Sequence, residues 1–128
     1  MDKKINKWLM IAESDLITAK KISKDKILNA IACYHYQQAV EKLLKAFLVS
    51  KNKEFEKTHN ISKLIDLTIE IDKGFSELIE KGIHKLSIYA TELRYPDVFY
   101  TPTNKETKEA IEKAEFVKDF VMKKLKGV

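Results

Sequence analysis

The sequence predicts an all-α fold, an antiparallel up-and-down bundle of about five helices that forms a single domain over residues 1–128. Three observations lead to this prediction. Apolar residues recur at intervals of three and four along most of the chain, no segment shows the alternation typical of a β-strand, and glycine and proline are scarce. A chain of 128 residues is also long enough to bury a core without a metal or disulfide.

The first two predicted helices are the most strongly patterned. One runs from Lys4 to Ile22 and carries an apolar stripe opposite a face of lysines; Asp25 is then the predicted N-cap of the next, Lys26–Ser50. This second helix is apolar almost all round and needs cover on most sides. Its one polar stripe is either the solvent edge of a central helix or one wall of a cleft. The stripe comprises His35, Gln38, Lys42 and Lys45, with Glu41 beside them.

Three further helices complete the predicted bundle. After a polar connection, the third runs from Ile61 to Asp72, and Gly74 is expected to close it in the C′ position. The fourth extends from Phe75 to Ala90, although Gly82 lies within it. The last runs from Lys105 to Lys126, with Asn104 as its predicted N-cap.

Composition excludes several classes of protein. The single cysteine, Cys33, cannot form an internal disulfide and suits a reducing cytoplasm. The three histidines are widely spaced and form no zinc-binding pattern, so we expect neither a metal nor a cofactor. No apolar run is long enough for a signal peptide or a membrane span, which predicts a cytoplasmic location and no membrane partner. The net charge of +5 would attract phosphates, although lysine-rich solvated helix faces are common.

Several segments together resemble the HEPN family of small prokaryotic helical-bundle proteins. They are "WLMIAESDLITAKK", "YHYQQAVEKLLKAFL", "THNISKL", "ELRYPD" and "EAIEKAEFV", in this order. The resemblance implies nucleotide or RNA binding, a homodimer, and pairing with a minimal nucleotidyltransferase in a toxin–antitoxin-like system. It covers nearly the whole chain.

Some members of that family are metal-independent ribonucleases, whose motif is an arginine followed, after four to six residues, by a histidine. Arg94 matches the arginine, but Phe99, Tyr100 and Thr101 stand where the histidine would fall. We therefore expect a binding module rather than an enzyme. One alternative is a ribonuclease with a non-standard base, for which Arg94 and His59 are the catalytic candidates; the base could also be His35 or come from a second protomer. The other alternative is a purely structural interaction protein.

Arg94 is the only arginine among the 24 basic residues. Its planar fork can grip phosphate bidentately, which lysine cannot do. The alternative is an ion pair with Glu92, with Asp97 or with an acid on a neighbouring helix. His59 either lines a nucleotide pocket or helps Thr58 and Asn60 to cap the third helix. The predicted nucleotide- or phosphate-binding residues are Arg94, Tyr95, Tyr100, Gln38, Lys42 and His59.

Overall fold

The computed structural model describes residues 2–91 and 101–127, with only the backbone of Thr91, and this part of the chain is all-α. It contains six α-helices, close to the five predicted, so the predicted fold class is confirmed. The helices are α1 (Lys3–Ile22), α2 (Asn29–Ser50), α3 (Ile61–Ile71), α4 (Ser76–Glu80), α5 (Ile88–Thr91) and α6 (Asn104–Leu125).

α1 and α2 form an antiparallel hairpin. The Asp2 carboxylate caps α1 by accepting hydrogen bonds from the N–H groups of Lys4 and Ile5. Asp25 caps the connection as predicted, but it caps a 3₁₀ turn at Lys26–Leu28 that precedes α2. The apolar stripe of α1 packs along α2. Its side chains share one face of the helix because they recur at intervals of three and four residues.

α2 is the central helix, as its all-round apolar pattern predicts. α1, α3 and α6 all pack on it, and most of its side chains are buried. Cys33 lies in the core, where burial raises the pKa of the thiol despite a contact of 3.6 Å between its Sγ and Thr107 Oγ1. Three aromatic rings close the far end of the core: Phe47, Phe75 and Phe120.

The predicted cap of the last helix is wrong by one residue. Thr103, not Asn104, is the N-cap of α6, and its backbone is extended. The Thr103 hydroxyl accepts from the Glu106 N–H at 3.1 Å, and the Glu106 carboxylate accepts from the Thr103 N–H at 3.0 Å. This reciprocal capping box satisfies two backbone donors, whereas the Asn104 side chain instead accepts from Asn29 Nδ2 at 3.0 Å.

The predicted fourth helix is not continuous. Residues 73–91 form α4 and α5 and two 3₁₀ turns, Lys73–Phe75 and Ile83–Ser87. Gly82 divides them because its φ of 71° lies in the left-handed region, which a helix cannot include. The predicted role of Gly74 is also wrong: α3 ends at Ile71, and the Asp72 carboxylate accepts from the Gly74 N–H at 2.9 Å.

Among the helices described, none combines the length and the apolar character that crossing a bilayer requires.

Candidate functional site

Much of the polar stripe of α2 belongs to a buried hydrogen-bond network centred on Glu41. Its carboxylate is 2% exposed and accepts from Lys45 Nζ at 2.7 Å through one oxygen. The other oxygen lies 3.0 Å from Gln37 Nε2 and 3.0 Å from His59 Nδ1. Gln38 Nε2 completes the set at 3.3 Å. We call these five residues the Glu41 network; most of the stripe is therefore not a simple solvent edge.

The network keeps Glu41 ionised although it is buried. Burial by itself would raise the pKa of Glu41, since a carboxylate is poorly solvated in the protein interior. Hydrogen bonds from Lys45, His59 and Gln37 outweigh this effect and hold the pKa of Glu41 below its ordinary value. Glu41 is consequently a carboxylate at neutral pH and acts only as a hydrogen-bond acceptor.

Lys45 is held in place from several directions. Besides its ion pair with Glu41, its ammonium lies 5.7 Å from the centre of the Trp8 ring and 5.8 Å from that of Phe55. The same Nζ donates to the carbonyl of Thr58 at 3.4 Å. Lys45 is thus neutralised and enclosed, so it is not a cation available to a ligand.

The 58–60 segment is tied to α2 at its backbone as well as its side chains. Gln37 Nε2 donates to the carbonyl of His59 at 3.3 Å, in addition to the bond from Lys45 to Thr58. Asn60 caps α3, accepting from the Lys63 N–H, and Thr58 Oγ1 accepts from the Asn60 N–H. The capping role considered for His59 is therefore wrong, because its imidazole turns to Glu41 instead.

Gln38 connects this network to a half-buried cation, Lys42. Its amide nitrogen donates to Gln37 Oε1 at 2.8 Å, while its oxygen accepts from Lys42 Nζ at 2.6 Å. The partner of Lys42 is a neutral amide, so the charge of Lys42 is not cancelled by that bond. A continuous chain of hydrogen bonds runs from Lys42 through Gln38 and Glu41 to His59.

His35 forms a second pair of imidazole and carboxylate on the seam between α1 and α2. Its Nδ1 lies 2.9 Å from Asp15 Oδ1, and both side chains are mostly buried. It therefore acts within the helix interface and is not part of the Glu41 network. No group of three or more histidine, cysteine or acidic side chains suited to a metal occurs within residues 2–91 and 101–127.

Three of the six predicted binding residues, Gln38, Lys42 and His59, are brought together by this chain of hydrogen bonds. Arg94, Tyr95 and Tyr100 lie outside the described residues. Sequence reasoning missed Gln37 and the central place of Glu41. The sequence did carry a signal for them, since Gln37 and Glu41 are four residues apart on a helix that is apolar on most sides. Polar side chains on such a helix need hydrogen-bond partners when they are buried.

The arrangement has one buried carboxylate with both oxygens engaged, the exposed imidazole of His59, and the half-buried ammonium of Lys42. These groups suit an anionic ligand that also carries hydrogen-bond donors.

A comparison with protein-family models matches residues 5–125 to the HEPN domain. Comparisons with curated proteins and with solved structures find no match. Because the family match spans nearly the whole chain, this protein belongs to the HEPN domain family, whose members are nucleotide- or RNA-associated helical modules.

Proposed function

We propose that this protein binds a nucleotide or an RNA phosphate at the outer face of α2. Lys42 and His59 line the site in this proposal, and the buried Gln38 positions Lys42. We expect Arg94, Tyr95 and Tyr100 to contribute to the same site. The observation that carries the proposal is the Glu41 network, which buries Lys45 against Glu41 yet leaves the ammonium of Lys42 on a neutral amide. α2 thus keeps a half-buried positive charge on the same chain of hydrogen bonds as the exposed imidazole of His59.

This division of roles suits phosphate recognition. Lys42 is positioned by Gln38 and keeps further N–H donors for a ligand oxygen. Arg94 adds a guanidinium whose two parallel N–H groups match the oxygens of a phosphate, and Tyr95 and Tyr100 add hydroxyls and flat rings. Attraction of a polyanion to a basic protein supports the same ligand class, since the net charge is +5.

Replacing Arg94 tests the proposal most directly. We expect Arg94→Lys to weaken binding of ATP or of a short single-stranded RNA by about 10- to 100-fold without loss of folding. The reason is that lysine keeps the charge but loses the bidentate fork. Isothermal titration calorimetry measures the affinity, and a thermal melt checks the fold.

Lys118→Ala is the matched control, because Lys118 is paired with Glu13 at 2.9 Å between α6 and α1. It removes one positive charge far along the chain from the site and should change the affinity little. If Arg94→Lys and Arg94→Ala both bind as tightly as the wild type, Arg94 is not part of the site.

The proposal includes a homodimer. Ile27 is 80% exposed, and Ile31, four residues along the chain, is also exposed. Apolar side chains grouped on one surface commonly mark an interface, and two-fold symmetry is the commonest closed arrangement.

We also propose pairing with a minimal nucleotidyltransferase in a toxin–antitoxin-like system; this part rests on the family alone.

The dimer predicts a solution mass twice the 14.9 kDa of the chain at micromolar concentration. Replacing both Ile27 and Ile31 with glutamate should give a folded monomer, because the charges cannot be desolvated in an apolar interface. Light scattering coupled to gel filtration measures the mass, with Ile71→Glu as a control at another exposed isoleucine. A monomeric wild type would refute the dimer.

A further inference from the structure

The hydrogen bond between Glu41 and His59 has a defined direction. Glu41 is an ionised carboxylate and can only accept, so the hydrogen on the shared bond belongs to His59 Nδ1. When the imidazole is neutral, its other nitrogen, Nε2, then carries a lone pair and no hydrogen. The side chain of His59 is 59% exposed, which makes this edge of the ring accessible to a ligand.

The backbone beneath the ring is also constrained. Gln37 holds the carbonyl of His59, and Lys45 holds the carbonyl of Thr58. Both donors belong to the Glu41 network, which is rooted in the rigid central helix. The same network therefore fixes the backbone beneath the ring, through Gln37 and Lys45, and the tautomer of the ring, through Glu41.

We infer that Glu41 is a positioning residue that holds His59 in the Nδ1–H tautomer, so that Nε2 accepts a hydrogen bond from the nucleoside part of the ligand. The donor is a sugar hydroxyl or a base N–H group, while Lys42 contacts the phosphate. This inference rests on the proposed nucleotide site. It adds that the site distinguishes a nucleotide from a bare phosphate chain through His59.

The tautomer is measurable without any ligand. Two-bond ¹H–¹⁵N spectra of the ¹⁵N-labelled full chain at pH 8, above the ordinary range for protonating histidine, distinguish the two ring nitrogens. We expect His59 to show a hydrogen on Nδ1 in the wild type. In Glu41→Gln the single amide oxygen is claimed by the buried Lys45 ammonium, so the amide NH₂ faces His59. The ring should then shift toward the Nε2–H tautomer.

His35 supplies an internal control, because its Nδ1 is paired with Asp15 in the same way. Its signals should stay unchanged in Glu41→Gln, whereas Asp15→Asn should alter His35 and leave His59 as it is. Glu41→Asp retains a carboxylate and should preserve the tautomer of His59 in a folded chain. The inference is overturned if wild-type His59 carries its hydrogen on Nε2, or if folded Glu41→Gln leaves its tautomer unchanged.

Ligand binding tests the acceptor role separately. His59→Ala should weaken ATP binding by about tenfold, the effect of losing one hydrogen bond, and leave the affinity for inorganic tripolyphosphate within about twofold. Equal losses for the two ligands would mean that His59 contacts phosphate, and would overturn the acceptor role. If the wild type binds neither ATP, RNA nor tripolyphosphate, the proposed function fails and the ligand part of this inference falls with it. The tautomer spectra would still decide whether Glu41 positions His59.

Discussion

Replacing Phe75 with alanine is expected to lower the free energy of unfolding by about 3–5 kcal/mol, the cost of removing a large buried aromatic side chain. Phe75 is fully buried, with its ring centre 4.4 Å from that of Phe47 on α2 and 5.0 Å from that of Phe120 on α6. Phe75 lies in the 3₁₀ turn between α3 and α4. Loss of its side chain would therefore weaken the packing of the short helices against the long ones.

Chemical denaturation monitored by circular dichroism measures this change, and the melting temperature should fall by about 10–20 °C. Ile71→Ala provides the control, because Ile71 is 38% exposed at the end of α3 and should cost about 1 kcal/mol or less. Comparable losses in the two variants would contradict the central place of Phe75 in the core.

Glu41→Leu is expected to destabilise the fold by about 3–5 kcal/mol, because it leaves the ammonium of Lys45 buried without its carboxylate. Both side chains of this ion pair are less than a tenth exposed. The double variant Glu41→Leu with Lys45→Leu should lose less stability than Glu41→Leu alone, since no unpaired charge remains. Equilibrium unfolding of the wild type, of the single variants Glu41→Leu and Lys45→Leu, and of the double variant measures the coupling.

Glu115→Leu is the matched control for an exposed ion pair. Glu115 pairs with Lys20 at 3.0 Å, and about half of each side chain is exposed. Its removal should cost about 0–1 kcal/mol, because water screens the pair and solvates the lysine that remains. A similar cost for Glu41→Leu would show that Lys45 escapes to solvent and that the Glu41 network is not a stabilising element.

The contribution of Glu41 should also depend on pH. Its pKa is lower in the folded protein than in the unfolded chain, where a glutamate titrates at about 4.3. Its stabilising effect is therefore complete above that pH and is lost as the pH falls through the folded value. The difference in stability between the wild type and Glu41→Leu should therefore shrink as the pH falls below about 4.

The long helices could be predicted from the sequence because their causes are local. In α1, α3 and α6, apolar residues recur every three to four positions and so form one face of each helix. In the buried α2, apolar residues cover most of the surface. The misplaced features were short ones: the cap at Thr103 and the breaks around Gly82. Each depends on one hydrogen bond or one φ value, which periodicity does not report.

The candidate site was predictable only in part. The order of polar residues on α2 indicated one face, and Gln38 and Lys42 do lie in the same chain of hydrogen bonds as His59. Whether that face was a solvent edge, a cleft or a buried network depended on the elements packed beside it. Arg94, the residue singled out most strongly by composition, stays a prediction.

By itself, the sequence determined an all-α fold and a central second helix, since these follow from the repeated pattern of side chains along the chain. Membership of the HEPN family rests on the match of residues 5–125 to the family model. Only the tertiary structure decided that Glu41 is the centre of a buried network and that His59 bonds to it rather than capping α3. The two residues are 18 positions apart, and nothing in the local sequence around His59 indicates this pairing. Their pairing was decided by the packing of the 58–60 segment against α2, where a buried carboxylate must find its donors from whichever groups the fold brings within reach.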